Sequence, residues 1–270
     1  TVEWLGNLLP HPITLFALFC LFIIFISGIA AYFGVSAIDP RDGETVIKAV
    51  SLLNAEGIQR IVTNLVTNFT GFTPLGTVLV ALLGVGVAER SGLISAAMRG
   101  LVMKAPPRLI TIVVVFAGVV SNTAAELGYV VLVPLAAMIF YGLGRNPLAG
   151  LAAAFAGVSA GYSANLLIGT VDPLLSGITE EAAKIIDPSY TVGAEANWYF
   201  MMVSTFLIAI MGALITDKIV EPKLGKYNKD EASIDLSDQS SMDPLTKQEK
   251  RGLIYAGISV LILAGILALT

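Results

Sequence analysis

Five long stretches of this chain carry no charged side chain: Ile13–Phe33, Ile61–Ala88, Asn146–Val171, Ala196–Thr216 and Gly252–Thr270. A helix rises about 1.5 Å per residue and the hydrocarbon core of a bilayer is about 30 Å thick, so about 20 apolar residues cross it. Runs of this length constrain the chain more than anything else in it. They predict spanning helices at about 13–33, 69–98, 148–176, 196–219 and 252–270. Tyr32, Phe33, Trp198 and Tyr199 lie near run ends, where amphipathic rings favour the interface.

Composition agrees. Only 13% of the 270 residues are charged and 56% are hydrophobic, against about 25% charged in soluble domains. Too little polar surface is available for a soluble enzyme or a disordered chain. The net charge of −4 leaves no basic face for nucleic acid. A single cysteine, Cys20, excludes an internal disulfide or a cysteine-ligated metal, and the lone His11 cannot build a cluster. The first apolar run has no basic residues before it and is long enough to span, so it reads as a helix and not as a cleavable signal. The chain lacks an initiating Met, so a few N-terminal residues are expected to be missing, and its end at Thr270, within the fifth run, reads as the N-terminal part of a longer chain.

The basic residues set an orientation. Lys218, Lys223, Lys226, Lys229, Lys247, Lys250 and Arg251 crowd one connection, and Arg90, Arg99, Lys104, Arg108 and Arg145 fall on loops of the same parity. Arg41, Lys48, Arg60 and Lys184 occupy the other side. The positive-inside rule then puts the N-terminus and the linker at about 220–250 in the cytoplasm of a bacterial inner membrane. Asp39–Arg60, a mixed-charge segment, reads as a surface helix on the outer side.

The stretch 109–141 breaks the pattern. Its centre reads Ser121-Asn122-Thr123-Ala124-Ala125-Glu126, and Pro134 interrupts the second arm. The first arm, about a dozen residues or 18 Å of helix, is too short to cross. The better reading is a re-entrant helical hairpin entering from the cytoplasmic face, with Ser121, Asn122 and Thr123 at its tip. Freed carbonyls and these side-chain oxygens are hard ligands suited to sodium. The amides opening the second arm suit an anionic group of the substrate.

The next run is also irregular. Gly161, Tyr162, Ser163, Asn165, Gly169, Thr170 and the pair Asp172-Pro173 are unusual within one apolar helix. Pro173 biases Asp172 away from helical geometry, so Asp172 is expected at a break. Discontinuous helices beside hairpins are how secondary transporters bring backbone polar groups to the midplane. An acid embedded in apolar sequence is a functional candidate, which singles out Asp172 and, one turn past the tip, Glu126. Asp217, Glu221 and the outer-loop acids read as solvated.

The blocks Ser121–Tyr129, Gly161–Leu167 and Gly169–Gly177, with Glu221-Pro222-Lys223-Leu224-Gly225 further on, resemble the AbgT family of p-aminobenzoyl-glutamate transporters and antimetabolite exporters. The resemblance implies an all-α polytopic membrane fold in which spanning helices surround a re-entrant hairpin and a broken helix, as the N-terminal part of an inverted-repeat transporter. It implies a homodimer in the lipid bilayer. It also implies secondary active transport of p-aminobenzoyl-glutamate, p-aminobenzoic acid or sulfonamide-like aryl compounds, coupled to sodium or to the proton motive force. Carried onto this sequence, it places the family's functional aspartate on Asp172 and the first hairpin tip on Ser121, Asn122 and Thr123; from the residues themselves, substrate is expected at Ser121, Asn122, Thr123, Tyr162, Gly169 and Thr170. Ion coupling falls to Asp172, Asn165, Ser121, Asn122 and Glu126, with sodium held by Asn122, Thr123 and Asp172. No organic cofactor is expected. A sodium-coupled dicarboxylate or anion transporter of the same superfamily, or a channel, are the alternative readings. Paired catalytic groups and a Gly-x-Ser-x-Gly turn are absent, so the chain does not read as an enzyme.

Overall fold

The computed structural model describes residues 10–124, 128–162, 164–228 and 245–269. Glu126 and Ser163 lie outside the described residues. The chain divides into two compact units, one of Thr1–Leu75 with Ile178–Thr191, the other of Gly76–Gly177 with Val192–Thr270.

In the first unit, helix α1 (Pro12–Tyr32) is apolar on every side, as expected of a membrane span, and none of its membrane-length stretch is buried. Its Ser27 Oγ accepts the Leu52 amide at 2.9 Å. The segment expected as a surface helix over Asp39–Arg60 is instead an antiparallel hairpin followed by the start of a helix. Strands β1 (Ser36–Ile38) and β2 (Val46–Lys48) pair Ser36 with Lys48 and Ile38 with Val46. The turn between them is built by short acids, because Asp42 Oδ1 accepts the amides of Glu44 and Thr45 at 3.0 Å each. Such side-chain bonds offer the backbone an alternative to helix. Asn54 then caps helix α2 (Ala55–Thr70), its Oδ1 accepting the Gly57 amide at 2.7 Å.

The span expected over 69–98 is not one helix. Gly71 to Pro74 separate α2 from α3 (Leu75–Arg90), and Gly92, at φ 74°, separates α3 from α4 (Leu93–Met103). A left-handed residue ends a helix at little cost only when it is glycine.

The second unit holds the core. Pro106 and Pro107 end α4, and the chain turns by 111° into the hairpin. Its first arm is α5 (Ile110–Val120). The tip is a 3-10 turn, Ser121–Ala124, and the second arm runs through a π-helical turn, Gly128–Leu132, into α6 (Val133–Gly142). The stretch expected as a hairpin, 109–141, thus carries α5, the tip turn and α6, with 125–127 outside the described residues. Helix α7 (Pro147–Ala160) packs against both arms. Glycines allow this: a Cβ on Gly157 would lie 2.6 Å from Val115 O, and one on Gly118 would lie 3.0 Å from Ala154 O. Val114, Val115, Leu132, Ala153 and Phe140 fill the space between these helices.

The run expected at 148–176 breaks after α7 and resumes as α8 (Val171–Lys184). Helix α9 (Trp198–Ile215) continues through a π-helical turn, Thr216–Val220, into the short α10 (Glu221–Leu224). Helix α11 (Lys247–Leu269) starts on a reciprocal cap, with the Thr246 amide 2.7 Å from Glu249 Oε2 and the Glu249 amide 3.2 Å from Thr246 Oγ1. By length and composition, three of the described helices can cross a membrane, or up to five spans form if each bent pair counts as one. The architecture is an all-α membrane fold.

Candidate functional site

The end of α5 leaves carbonyls without helical partners. At membrane depth these need satisfaction from within the protein. The three tip side chains supply it. Ser121 Oγ donates to Gly118 O at 2.6 Å, Asn122 Nδ2 to Val119 O at 2.9 Å, and Thr123 Oγ1 reaches Val120 O at 2.9 Å. Each bonds three residues back, so Ser-Asn-Thr serves as a self-contained stop for a buried helix.

The same side chains fasten the tip to the break after α7. Asn122 Nδ2 also reaches Gly161 O at 3.1 Å and Val158 O at 3.4 Å, carbonyls at the end of α7, the first of which also accepts the Ala164 amide at 2.7 Å. Thr123 Oγ1 lies 2.7 Å from Asn165 Oδ1, which also accepts the Leu166 amide at 3.0 Å. Asn165 is 2% exposed. Leu166 O in turn accepts Trp198 Nε1 at 3.0 Å, which ties the unwound segment to α9.

Asp172 occupies the first turn of α8, so the expectation that it lies outside helical geometry is corrected. Proline is tolerated there because first-turn amides have no intrahelical acceptor, and Pro173 sits in that turn without breaking it. The Asp172 carboxylate accepts the Gly169 amide at 2.6 Å. A negative charge at a helix start is favoured by the helix dipole. Gly169 separates two functional groups: a Cβ on it would lie 3.5 Å from Asp172 Oδ2 and 3.6 Å from Asn165 Nδ2.

The structure thus draws Ser121, Asn122, Thr123, Asn165, Gly169 and Asp172 into one region of the second unit. Thr170 is half-buried beside them in sequence, and Tyr162 is 75% exposed. Glu126 lies outside the described residues. The available donors are oxygens, from Asn122, Thr123, Asn165 and Asp172. Among the described residues no group of three or more His, Cys, Asp or Glu side chains is arranged to hold a metal ion. That donor chemistry fits a hard cation better than a transition metal.

A cavity of about 460 Å³ adjoins the tip. Ser121 and Thr123 are its polar members, and Val85, Ala88, Ile94, Met98, Val120 and Leu167 supply apolar walls. A few convergent polar groups on an otherwise apolar wall are typical of small-molecule sites of this size.

Two acids read as solvated are also ion-paired, Asp217 with its side chain 42% exposed and Glu221 with its side chain 23% exposed. Asp217 and Glu221, four residues apart at the end of α9, converge on Arg145. The signal was present in the sequence, since a four-residue spacing places both carboxylates on one helix face, and Arg145 stands alone between two apolar helices.

A family model described as "AbgT putative transporter family" matches residues 1–270. The chain is 41% identical over 270 residues to the p-aminobenzoyl-glutamate transport protein of Escherichia coli (strain K12), covering 99% of this chain and 51% of that protein. Among solved structures it is similar to MtrF of Neisseria gonorrhoeae, described as illuminating a class of antimetabolite efflux pumps, at 57% identity and a TM-score of 0.81. That match covers 99% of this chain and 54% of MtrF. The YdaH transporter of Alcanivorax borkumensis matches at 44% identity and a TM-score of 0.78, over 96% of this chain and 53% of YdaH. The chain therefore spans about half the length of the relatives it matches.

Proposed function

The chain belongs to the AbgT family, and on that premise we propose that it forms the N-terminal part of a secondary active transporter for p-aminobenzoyl-glutamate, p-aminobenzoic acid or sulfonamide-like aryl compounds. It acts as an ion- or proton-coupled antimetabolite exporter, working as a homodimer in a bacterial inner membrane with its N-terminus and the 220–250 linker in the cytoplasm. The observation that carries this reading is the fastening of the hairpin tip into the helix break, through Asn122 to Gly161 and Thr123 to Asn165. Two discontinuous elements meeting at one polar point is the arrangement by which such transporters expose backbone groups to substrate and ion.

The chemistry then follows from Asp172. Its carboxylate holds the Gly169 amide, at the helix start where an anionic substrate would otherwise bind. A proton or a sodium ion on Asp172 competes for the same carboxylate with a hydrogen-bond donor of the substrate, its arylamine or sulfonamide N–H, so that ion and substrate exclude each other. Occupancy of Asp172 and occupancy by substrate are linked in this way, as coupled transport requires. The aryl ring lies in the apolar cavity beside Ser121 and Thr123.

The test is export of labelled sulfonamide from cells producing the full-length protein, for wild type and Asp172→Ala, with sodium removed or with a protonophore added. Saturable uphill export that stops under one of the two treatments, and is lost in Asp172→Ala, supports the reading and identifies the ion. Unchanged export in Asp172→Ala removes Asp172 from coupling. Flux that only runs downhill makes the protein a channel.

A further inference from the structure

Arg145 stands just past α6, where the chain leaves the hairpin. Its Nε lies 2.9 and 3.1 Å from the two carboxylate oxygens of Glu221, and Nη2 lies 2.7 Å from Asp217 Oδ1 and also contacts Glu221 Oε2. Nη1 donates to Thr111 Oγ1 at 2.8 Å, and that hydroxyl donates onward to Asp217 Oδ1 at 2.8 Å. The guanidinium carbon sits 4.1 Å from the centre of the Phe140 ring. One side chain therefore joins three places: Thr111 at the entry of the hairpin, Phe140 at its exit, and the end of α9.

This is more than a surface ion pair. The Arg145 and Glu221 side chains are each 23% exposed. The guanidinium fork uses its planar geometry on a carboxylate, a hydroxyl and a ring face at once, which a lysine ammonium cannot do. The rest of α9 is packed on the first arm along the same line. Gly212 lets Val115 approach, since a Cβ there would lie 2.7 Å from Val115 Cγ1, and the Phe116 and Phe206 rings stack with centroids 6.0 Å apart.

We propose that Arg145 is a positioning residue that makes the hairpin, α7 and α9 one rigid body. It pins both feet of the hairpin to the end of α9, so the tip keeps its depth beside the break while the whole body moves during transport. The inference rests on the transporter reading above. On this view the hairpin is not a lid hinged at its feet. Arg145 touches neither ion nor substrate and acts through the placement of Asn122 and Thr123.

The experiment uses the full-length protein with its other cysteines removed. Thr111→Cys and Asp217→Cys are joined by a short, cleavable bis-methanethiosulfonate linker, which replaces the pin by a covalent one. The linked protein is expected to transport p-aminobenzoyl-glutamate within about twofold of wild type, and Arg145→Ala to raise KM by about tenfold with a smaller change in kcat. Linking is expected to restore KM in the Arg145→Ala background, whereas Arg145→Lys restores it only in part. Transport lost on linking and regained on cleavage would show that the feet must separate, and would overturn the proposal. Spin labels at Leu143→Cys and Lys218→Cys report on the feet independently of substrate and of the alanine variant. One narrow distance distribution, unchanged by sodium, pH or substrate, supports the pin, and a distance that changes between these conditions overturns it. A wild type that moves none of the aryl substrates defeats the transport reading alone, and the label distances still decide whether the feet are pinned.

Discussion

Thr123 and Asn165, 42 residues apart in sequence, meet at 2.7 Å through the hydroxyl of one and the amide oxygen of the other. The contact joins the hairpin tip to the unwound segment after α7. Asn165 Oδ1 also accepts the Leu166 amide, so removing the side chain orphans that amide in a site that is 2% exposed, while the Thr123 hydroxyl keeps Val120 O at 2.9 Å. Asn165→Ala is expected to destabilise the folded protein by about 1–3 kcal/mol, and Thr123→Val by about 1 kcal/mol. A double-mutant cycle on unfolding in detergent should give a coupling of about 0.5–1.5 kcal/mol. Additive effects would mean that the two residues do not hold each other.

Asp172 makes a bond that asparagine can imitate and alanine cannot. Asp172→Asn keeps an acceptor for the Gly169 amide but not the charge, so its thermal stability should stay close to wild type. Asp172→Ala should lose about 0.5–2 kcal/mol, the usual worth of a cap. Both should fail in coupled transport by the full-length protein. Separating the two readouts distinguishes a structural carboxylate from a coupling one.

Close packing of α5 on α7 depends on glycine. Gly157→Ala places a methyl group 2.6 Å from Val115 O, a backbone atom that cannot swing away, whereas Gly118→Ala meets its neighbours at 3.0 Å. Forcing the helices apart costs about 1–3 kcal/mol. Gly157→Ala should therefore lower the unfolding temperature more than Gly118→Ala does, by scanning fluorimetry of the purified protein.

In the loop between β1 and β2, the Arg41 guanidinium and then the Arg41 amide hold the Asp39 carboxyl down, from an ordinary 3.8 to about 2. Arg41 Nη2 lies 2.6 Å from Asp39 Oδ2. A depressed carboxyl pKa stabilises the folded loop above its unfolded value, and that contribution is lost as pH falls through about 2. Carbon-13 NMR of the Asp39 carboxyl should show titration near 2 in wild type and a return towards 3.8 in Arg41→Ala.

The hairpin and the helix break are legible in the sequence because both are failures of an otherwise simple pattern. An arm too short to cross, ended by Ser-Asn-Thr, has few other solutions in hydrocarbon, where backbone groups must be paired. Asp172 stands out for the same reason, although its helical placement does not follow from Pro173, since the rule against helix before proline yields in a first turn. The loop between β1 and β2 is not legible in this way, because its charge pattern outweighs the turn signals of Asp42 and Gly43. The division at Gly71 to Pro74 is hidden inside a run that composition treats as continuous.

What the sequence alone determined is the solvent of this protein and where its backbone must break. Apolar length sets the first, and short arms, glycines and small polar side chains within apolar runs set the second. Which break meets which tip was decided only by the tertiary structure. Asn122 could satisfy any nearby carbonyl, and only the packing of α7 between the two arms presents Val158 and Gly161. Arg145, Asp217 and Glu221 make the same point. Each reads as a loop or helix-end charge on its own, and their pairing exists because α9 lies along α5 and brings its end to the foot of the hairpin.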